Sequence, residues 1–206
     1  MNLESLDRLI PSTLSSEGKG RLKDGLSQFF DVTTDKVYTN FYSSSYYDFF
    51  LQGDLLREVR FSVFDFENYN YNKQYFDAII LSNACDIDLS NERNVPKQVM
   101  LAKLIPLDEF LKDVSELKPN ANIASLKNDI TRQNYTNLFY LPQCKDGIEY
   151  IAFFDDISII SVSELDAMKE DFSENRIDVL DYFGFYLFVF KLSYHFCRLP
   201  EDDYRI

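Results

Sequence analysis

Residues 75–89 read YFDAIILSNACDIDL, an apolar run that leads into a short polar turn. Residues 75–82 are almost all apolar and include aromatic and β-branched side chains, which is typical of a central strand buried on both faces. The residues that follow are small or polar, as at a turn, and they place Cys85 and two aspartates beside the strand end. The stretch therefore predicts a buried strand and, at its end, a rim where a functional site can form.

Neighbouring segments predict further strands. Residues 53–66 alternate apolar and polar side chains with a period of two, the pattern of a half-buried strand. Residues 97–107 follow as another strand, and residues 136–143 and 148–162 predict a hairpin around the turn CKDG. Residues 68–74 (NYNYNKQ) are polar, and we expect them to connect two strands.

Helical spacing of apolar residues occurs at both ends of the chain and between strands. It predicts helices over residues 2–10, 17–30 (capped by Ser15 or Ser16) and 107–117, and a further helix capped by Ser163. Residues 118–135 are polar and are expected to form a loop that can contain a short helix over residues 122–132.

A long C-terminal helix is predicted over residues 175–198 and is apolar nearly all round. Such a helix must be buried nearly all round, and residues 1–50, which are helical and aromatic-rich, can cover it. The chain is thus predicted to be α+β. Its core, residues 51–162, forms a strongly curved sheet or small SH3-like β-barrel, and its C-terminal helical segment, residues 163–206, packs on the N-terminal segment.

The charge of the chain narrows the classes of partner. Its 206 residues include 34 acidic and 21 basic side chains, a formal net charge of −13 at pH 7. A phosphate backbone attracts clustered Lys and Arg, so general nucleic-acid binding is disfavoured. The longest apolar run, residues 182–190, is far shorter than the roughly 20 residues that span a bilayer. With no signal-peptide pattern at the N-terminus, we expect a cytoplasmic protein without a membrane partner.

Metal-binding residues are few and scattered. The chain has three cysteines, Cys85, Cys144 and Cys197, and one histidine, His195, with no CxxC pair. A tetrahedral zinc site built from Cys and His would need all four of these residues. Reduced thiols of a cytosolic protein are the favoured interpretation, and we predict no metal and no other cofactor.

Several segments follow one another in a recognisable order: QGDLLREVRF (52–61), YFDAIILSNACDID (75–88), VMLAKLIPLDEF (99–110), NLFYLPQ (137–143) and FCRLP (196–200). They resemble a widespread, poorly characterised bacterial domain with an LSxxCDI-type signature, over about residues 51–200. The chain departs from that pattern at Asn83-Ala84 and lacks a glycine before Leu199. The resemblance implies a setting in bacterial stress response, toxin control or phage defence.

The Gly53-Asp54 start of the first strand, followed by an apolar strand ending in Ser82, also resembles the small barrel of MazF/Kid-type toxins. This is a similarity of fold, which does not carry function with it. It implies a barrel, and the acidic charge argues against carrying over RNA cleavage.

Cys85 is the candidate nucleophile if the protein is an enzyme of a hydrolase or nuclease-like kind. A thiol is reactive as the thiolate and needs a neighbouring base. The only imidazole is His195, and Asp86 or Asp88 is a candidate third group that would orient it. No glycine-rich turn accompanies Cys85 to form an oxyanion hole, so the sequence favours a protein that is not an enzyme.

The favoured interpretation of residues 82–88 is structural. Their polar side chains can bond nearby backbone groups of the turn, and Cys85 can serve as a small buried hydrophobe. A small-ligand site at the same rim is a further possibility. Its candidate binding residues are Asp54, Ser82, Asn83 and Asp88.

The leading functional prediction is a non-catalytic protein-interaction or adaptor module. A helix that is apolar all round needs a cover, which is either the rest of the chain or a second protein. The sequence favours the rest of the chain as the cover of this helix. The predicted partner of the module as a whole is another protein. The candidate interaction residues are Phe185, Phe188, Val189 and Phe196.

Overall fold

The computed structural model describes residues 15–30, 41–91 and 94–197, with side chains to residue 24 in the first range. The predicted helix over residues 2–10 lies outside these ranges. Within them the chain is α+β, as predicted. Its strands are β1 (Leu55–Asp65), β2 (Asn70–Ile80), β3 (Gln98–Pro106), β4 (Leu138–Leu141), β5 (Tyr150–Ser161) and β6 (Arg176–Asp178).

The strands form one sheet in the order β4-β5-β3-β2-β1-β6, and all neighbouring pairs are antiparallel. β4 and β6 are its edges, so within the described residues the sheet is open and the predicted SH3-like barrel is not closed. Register shifts interrupt β1 between Leu56 and Val59 and β3 between Ala102 and Lys103. Such bulges bend a strand and increase its twist.

Helices cover both faces of this sheet. They are α1 (Ser16–Phe30), α2 (Ala84–Ile87), α3 (Leu107–Leu117), α4 (Ile123–Thr131), α5 (Val162–Ala167), α6 (Phe172–Asn175) and α7 (Tyr182–Phe196). Because side chains alternate along β2, Ile79 packs in the cluster that contains α7, whereas Ile80 packs in the cluster that contains α5. The end of β2, residues 78–80, is therefore buried on both faces, as the sequence predicts for the middle of the segment 75–82.

The C-terminal helix begins later than predicted. Residues 176–178 form the edge strand β6 on β1 instead of a first helical turn. The helix begins after Asp181, whose Oδ1 accepts a hydrogen bond from the amide of Gly184 at 2.7 Å. Within the part of the chain that the structure describes, no helix is both long and apolar enough to cross a membrane.

The cap of the helix after β5 lies two residues earlier than predicted, at Ser161 instead of Ser163. Ser161 Oγ accepts a hydrogen bond from the amide of Glu164 at 3.1 Å, and Glu164 Oε2 accepts one from the amide of Ser161 at 3.2 Å. This reciprocal pair is a capping box. It makes the last residue of the strand the first cap of the helix, without a loop between them.

β1 and β2 extend beyond the sheet as a two-stranded ribbon, of which the sequence predicted only the β1 half. Residues 68–74, expected as a polar connection, contain the start of β2, and the turn is confined to residues 66–69. From residue 62 to residue 75 no side chain is buried. Residues 70–74 of β2 are exposed and were interpreted by their polar side chains, so this half of the ribbon lacked the apolar pattern by which strands are recognised.

Candidate functional site

A buried ion pair lies where β1 meets β6. Asp54 Oδ2 is 3.2 Å from Arg176 Nη2, and the two side chains are 1% and 3% exposed. Gly53, with φ +89°, makes the turn that places Asp54 at the start of β1. A Cβ on residue 53 would also lie 2.9 Å from Leu180 Cδ1 and would displace the end of that side chain, but the positive φ is the main reason for glycine here.

The guanidinium of Arg176 is held mainly by backbone carbonyls. Nη1 donates to the oxygen of Tyr47 at 2.8 Å and Nη2 to that of Phe49 at 2.6 Å. The group also stacks against the rings of Phe50 and Phe172, at 4.9 and 4.4 Å from their centroids. Arg176 thereby fixes the irregular segment before β1 against β6.

Asp54 is only partly hydrogen bonded. Its Oδ2 accepts from the amide of Leu51 at 3.1 Å, but Oδ1 has no hydrogen-bond partner among the described residues, and neither does Nε of Arg176. Burial raises the pKa of Asp54 to about 7, even though Arg176 opposes this change. An unsatisfied buried carboxylate with a raised pKa is typical of functional sites, although structural ion pairs share this property.

Asp178, next along β6, is also buried but is fully engaged. Its Oδ1 accepts from the hydroxyl of Tyr46 at 3.2 Å and from the amide of Val179 at 2.9 Å. Its Oδ2 accepts from the amide of Lys145 at 2.9 Å. Burial raises the pKa of Asp178. This carboxylate ties the β4–β5 turn to β6 and has a structural role.

Asp54 lines a cleft of about 580 Å³ between the segment before β1, the turn after β2 and the start of α7. This cleft, which we call the Asp54 cleft, has aromatic and apolar walls, and among the described residues no Lys, Arg or His lines it. The predicted binding residues Asp54 and Asn83 both line it, as does the predicted interaction residue Phe185. Its aromatic residues are Tyr47, Phe49, Tyr182 and Phe185.

The other two predicted binding residues make local contacts. Ser82 Oγ accepts a hydrogen bond from the amide of Met100 at 2.8 Å, which extends the β2–β3 pairing. Asp88 Oδ1 accepts from the amide and the hydroxyl of Ser90, both at 2.8 Å. Asn83 Oδ1 in turn caps α2 by accepting from the amide of Cys85 at 2.9 Å. These contacts fit the structural interpretation of the turn.

The described contacts do not bring the candidate nucleophile and base together. Cys85 is exposed and lines a small pocket of about 320 Å³ together with Asp88, and His195 is not among the residues of that pocket. His195 Nε2 instead lies 3.2 Å from Asp155 Oδ1, and its ring contacts Phe154. Asp86 lies beside Cys85 in α2.

The predicted interaction residues on α7 differ in exposure. Phe188 is completely buried and packs on the rings of Phe139 and Phe154, so no partner can reach it in this structure. Phe185 and Val189 are half-buried against the same core cluster. Phe196, at the end of α7, is 53% exposed. The sheet and α1 therefore provide much of the cover that this helix requires.

The two most exposed aromatic side chains of the described residues, Tyr69 and Phe66, lie instead at the end of the β1–β2 ribbon. Phe66, Tyr69 and Tyr71 are 80%, 83% and 71% exposed. Phe64 lies between them, with ring centroids 4.9 Å from Phe66 and 5.2 Å from Tyr71. We call these four residues the aromatic tip. The sequence analysis missed the aromatic tip because it treated residues 68–74 (NYNYNKQ) as polar on account of their asparagines. The tyrosines between those asparagines were the evidence for an aromatic surface.

Neither similarity to known proteins nor a cluster of metal ligands assigns a function to these sites. In residues 15–30, 41–91 and 94–197, no three His, Cys, Asp or Glu side chains come together as a metal site requires. No protein-family model, no curated protein and no solved structure matches the chain. The resemblance to an LSxxCDI-type domain therefore stays a prediction.

Proposed function

We propose that the protein is a non-catalytic interaction module that binds another protein through the aromatic tip. The carrying observation is the group of exposed rings on the ribbon between β1 and β2, three of which are at least 71% exposed. Large exposed apolar patches mark interaction sites, and aromatic side chains are enriched among the residues that contribute most to binding.

The tip is ordered before it binds. Asp65 Oδ1 accepts hydrogen bonds from the amides of Glu67 and Asn68 at 2.9 and 3.1 Å. Its Oδ2 accepts from the side-chain amides of Asn68 and Asn72 at 2.9 and 3.0 Å. These bonds, first among them that from Asn68, lower the pKa of Asp65. An ordered binding loop loses less conformational entropy on association, which favours affinity.

The turn contains a residue in an unfavourable backbone conformation. Tyr69 has φ +52°, a region that costs a side-chain-bearing residue about 1–2 kcal/mol relative to glycine. Glycine is the usual choice at such a position. A bulky ring that is 83% exposed contributes little to the fold, so its presence in this conformation supports a role outside the fold.

Charge selects the kind of partner. The tip carries Asp65 and Glu67, and residues 61–72 contain no Lys or Arg. An acidic aromatic surface attracts cations through both its carboxylates and its ring faces. It repels phosphate backbones and anionic lipid surfaces. We therefore propose a protein partner with a basic and apolar surface, rich in arginine. The setting in stress response, toxin control or phage defence is part of the same proposal and comes from the family resemblance.

A comparative pull-down tests this function. The bait is the full chain, either unchanged or with Phe66, Tyr69 and Tyr71 all replaced by Ser. Leu117→Ser is the matched control, because Leu117 is 81% exposed on α3. We expect a stoichiometric protein that the unchanged chain and the control both retain and that the triple variant loses. Equal retention by all three baits would refute the proposal.

A further inference from the structure

A pocket of about 490 Å³ lies between the segment before β1, the β4–β5 turn, and α6 with β6. We call it the Lys145 pocket. Among the described residues, three cationic side chains and one acidic side chain line it: Arg57, Lys145 and Arg176, and Asp146. This excess of cations is unusual in a chain with 34 acidic and 21 basic residues. Because the three cations come from separate segments, no basic run in the sequence indicates the pocket.

The acidic residue of the lining is already engaged within the protein. Asp146 Oδ2 accepts hydrogen bonds from Arg57 Nη2 at 2.8 Å and from the hydroxyl of Tyr150 at 3.0 Å. Its Oδ1 accepts one from the amide of Ile148 at 3.0 Å. The side chain of Asp146 is also only 15% exposed. Asp146 is therefore poorly placed to bind a cationic ligand.

Two of the three cations are paired as well. Arg176 is buried against Asp54, and both of its terminal nitrogens donate to backbone carbonyl oxygens, so it offers no terminal N–H to a ligand. Arg57 pairs with Asp146 through Nη2 only, and its side chain is 38% exposed. A guanidinium has five N–H donors, so Arg57 retains donors for a second acceptor.

Lys145 is the cation that the fold leaves without a carboxylate partner among the described residues. It is exposed, and its Nζ lies 3.9 Å from the centroid of the Tyr46 ring. Since that ring also lines the pocket, the ammonium group lies at the pocket wall. Lys145 opposes the rise that burial causes in the pKa of Asp178, but both oxygens of that carboxylate accept from backbone amides or the Tyr46 hydroxyl.

The aromatic lining indicates the body of a ligand. The rings of Tyr46 and Tyr47 are 40% and 53% exposed, and Phe172 of α6 lines the pocket beside them. Aromatic walls favour a flat apolar body. The ammonium group of Lys145 lies over one of these rings, where it can bind an anionic group at the edge of such a body.

We propose that the Lys145 pocket binds a small aromatic carboxylate. The carboxylate accepts a hydrogen bond from Lys145 Nζ, with Arg57 as the second cation, and the ring lies against Tyr46 and Tyr47. A single negative charge suits the site, because the other charged groups of the lining are paired within the protein. The volume of about 490 Å³ falls within the range of about 300–1,000 Å³ that is usual for small-molecule sites. The aromatic tip does not line the pocket, so this proposal is independent of the proposed function.

Two probes of similar size and opposite charge test the site. Benzoate and benzamidine are titrated into the ¹⁵N-labelled full chain at pH 7 and low salt, where screening of surface charges is weak, and amide shifts are followed by NMR. We expect benzoate to shift the amides of Tyr47, Lys145 and Ser173, and benzamidine to leave them unchanged. If neither probe shifts these amides at millimolar concentration, or if benzamidine shifts them as strongly, the proposal is overturned.

A pair of lysine variants checks that binding depends on the named cation. Lys145→Met removes an exposed ammonium group, and we expect it to weaken benzoate binding about fivefold, the upper end for an ion pair at the protein surface. Lys112→Met, at an exposed lysine on α3, is the matched control and should leave the affinity unchanged. Unchanged affinity in Lys145→Met, or an equal loss in both variants, would overturn the proposal.

Discussion

Asp54 and Arg176 form an ion pair that is almost completely buried, with 3.2 Å between Oδ2 and Nη2, although they lie 122 positions apart in the sequence. The pair joins the start of β1 to the edge strand β6. Through the carbonyl oxygens of Tyr47 and Phe49, it also fixes the segment that lines the Asp54 cleft. The fold and the Asp54 cleft therefore depend on the same two side chains.

Removal of Arg176 should destabilise the protein in a pH-dependent manner. In the unchanged chain the folded-state pKa of Asp54 is raised to about 7, so the folded state holds a proton that the unfolded state releases near pH 4. The stability contributed by this proton is present below pH 4 and is lost as the pH rises to 7. Without Arg176, burial acts on Asp54 unopposed and its pKa should rise further.

We therefore expect Arg176→Leu to lower the free energy of unfolding by about 3–5 kcal/mol at pH 8, as when one partner of a buried pair is removed. The loss should be smaller at pH 5, where Asp54 is protonated. Urea unfolding of both chains at the two pH values measures this difference. A loss that is equal at pH 5 and pH 8 would show that the charge of Asp54 is not the cause.

Two glycines in helices should respond in opposite ways to replacement by alanine. A Cβ added to Gly20 in α1 would meet none of the described atoms outside its own helix within 4 Å, whereas a Cβ on Gly184 in α7 would lie 2.5 Å from the carbonyl oxygen of Phe41. Helix propensity alone predicts that either change stabilises the chain by about 0.5–1 kcal/mol. We expect Gly20→Ala to follow that prediction.

Gly184→Ala should instead destabilise the protein, because α7 must move away from the backbone at Phe41, and such overpacking typically costs about 1–3 kcal/mol or more. Thermal unfolding of the two variants beside the unchanged chain provides the comparison. Equal shifts in Tm for both variants would mean that α7 does not pack on this segment as described.

Lys191 provides a second test through pH. It is buried on α7 and donates a hydrogen bond to the carbonyl oxygen of Gln133. Burial lowers its pKa from 10.5 to about 7. Between these values the unfolded chain binds a proton that the folded chain lacks, so this group makes the protein more stable as the pH rises from 7 to 10.

The effect can be isolated with Lys191→Met, which removes the titrating group and keeps a chain of similar length. The free energy of unfolding of the unchanged chain, minus that of the variant, should increase by a few kcal/mol between pH 7 and pH 10. Denaturant unfolding at three pH values is sufficient to measure it. If the difference in unfolding free energy between the two chains does not change with pH, burial does not lower the pKa of Lys191.

Much of the fold can be predicted from the sequence, because periodicity is strong wherever one face of an element is buried. The central strand around Ile79 and Ile80 and the helix over residues 107–117 were predicted in this way and are present. The β6 strand was not, because residues 176–178 continue without a break into a strongly helical pattern. Only pairing with β1 separates them, and single-sequence patterns do not contain that information.

The candidate site could be predicted only in part. Asp54 and Asn83 were placed at a common rim because each stands beside a predicted strand end, and both line the Asp54 cleft. Arg176 was missed, since a cation within an expected helix normally faces solvent. The sequence also could not show that Cys85 and His195 contact different residues, because separation along the chain does not determine distance in space.

One substitution in the turn of the ribbon should leave the stability of the protein unchanged but weaken binding of the partner. Tyr69→Gly removes the unfavourable φ of +52° but adds backbone entropy to the unfolded chain, so we expect no loss of stability and a gain of at most about 1 kcal/mol. Binding of the partner, measured by retention on immobilised protein, should decrease clearly. A variant that loses stability by more than about 1 kcal/mol would indicate that the ring of Tyr69 supports the fold, in contrast to the role proposed for it.

Photo-crosslinking from the aromatic tip tests the proposed function most directly. p-Benzoylphenylalanine is introduced at position 69 in cells of the protein's source, and at position 117 as an equally exposed control. We predict one covalent adduct to a basic protein from position 69 and none from position 117. No adduct at position 69, the same adduct from both positions, or an adduct at twice the mass of the chain would contradict the proposed binding of another protein through the tip.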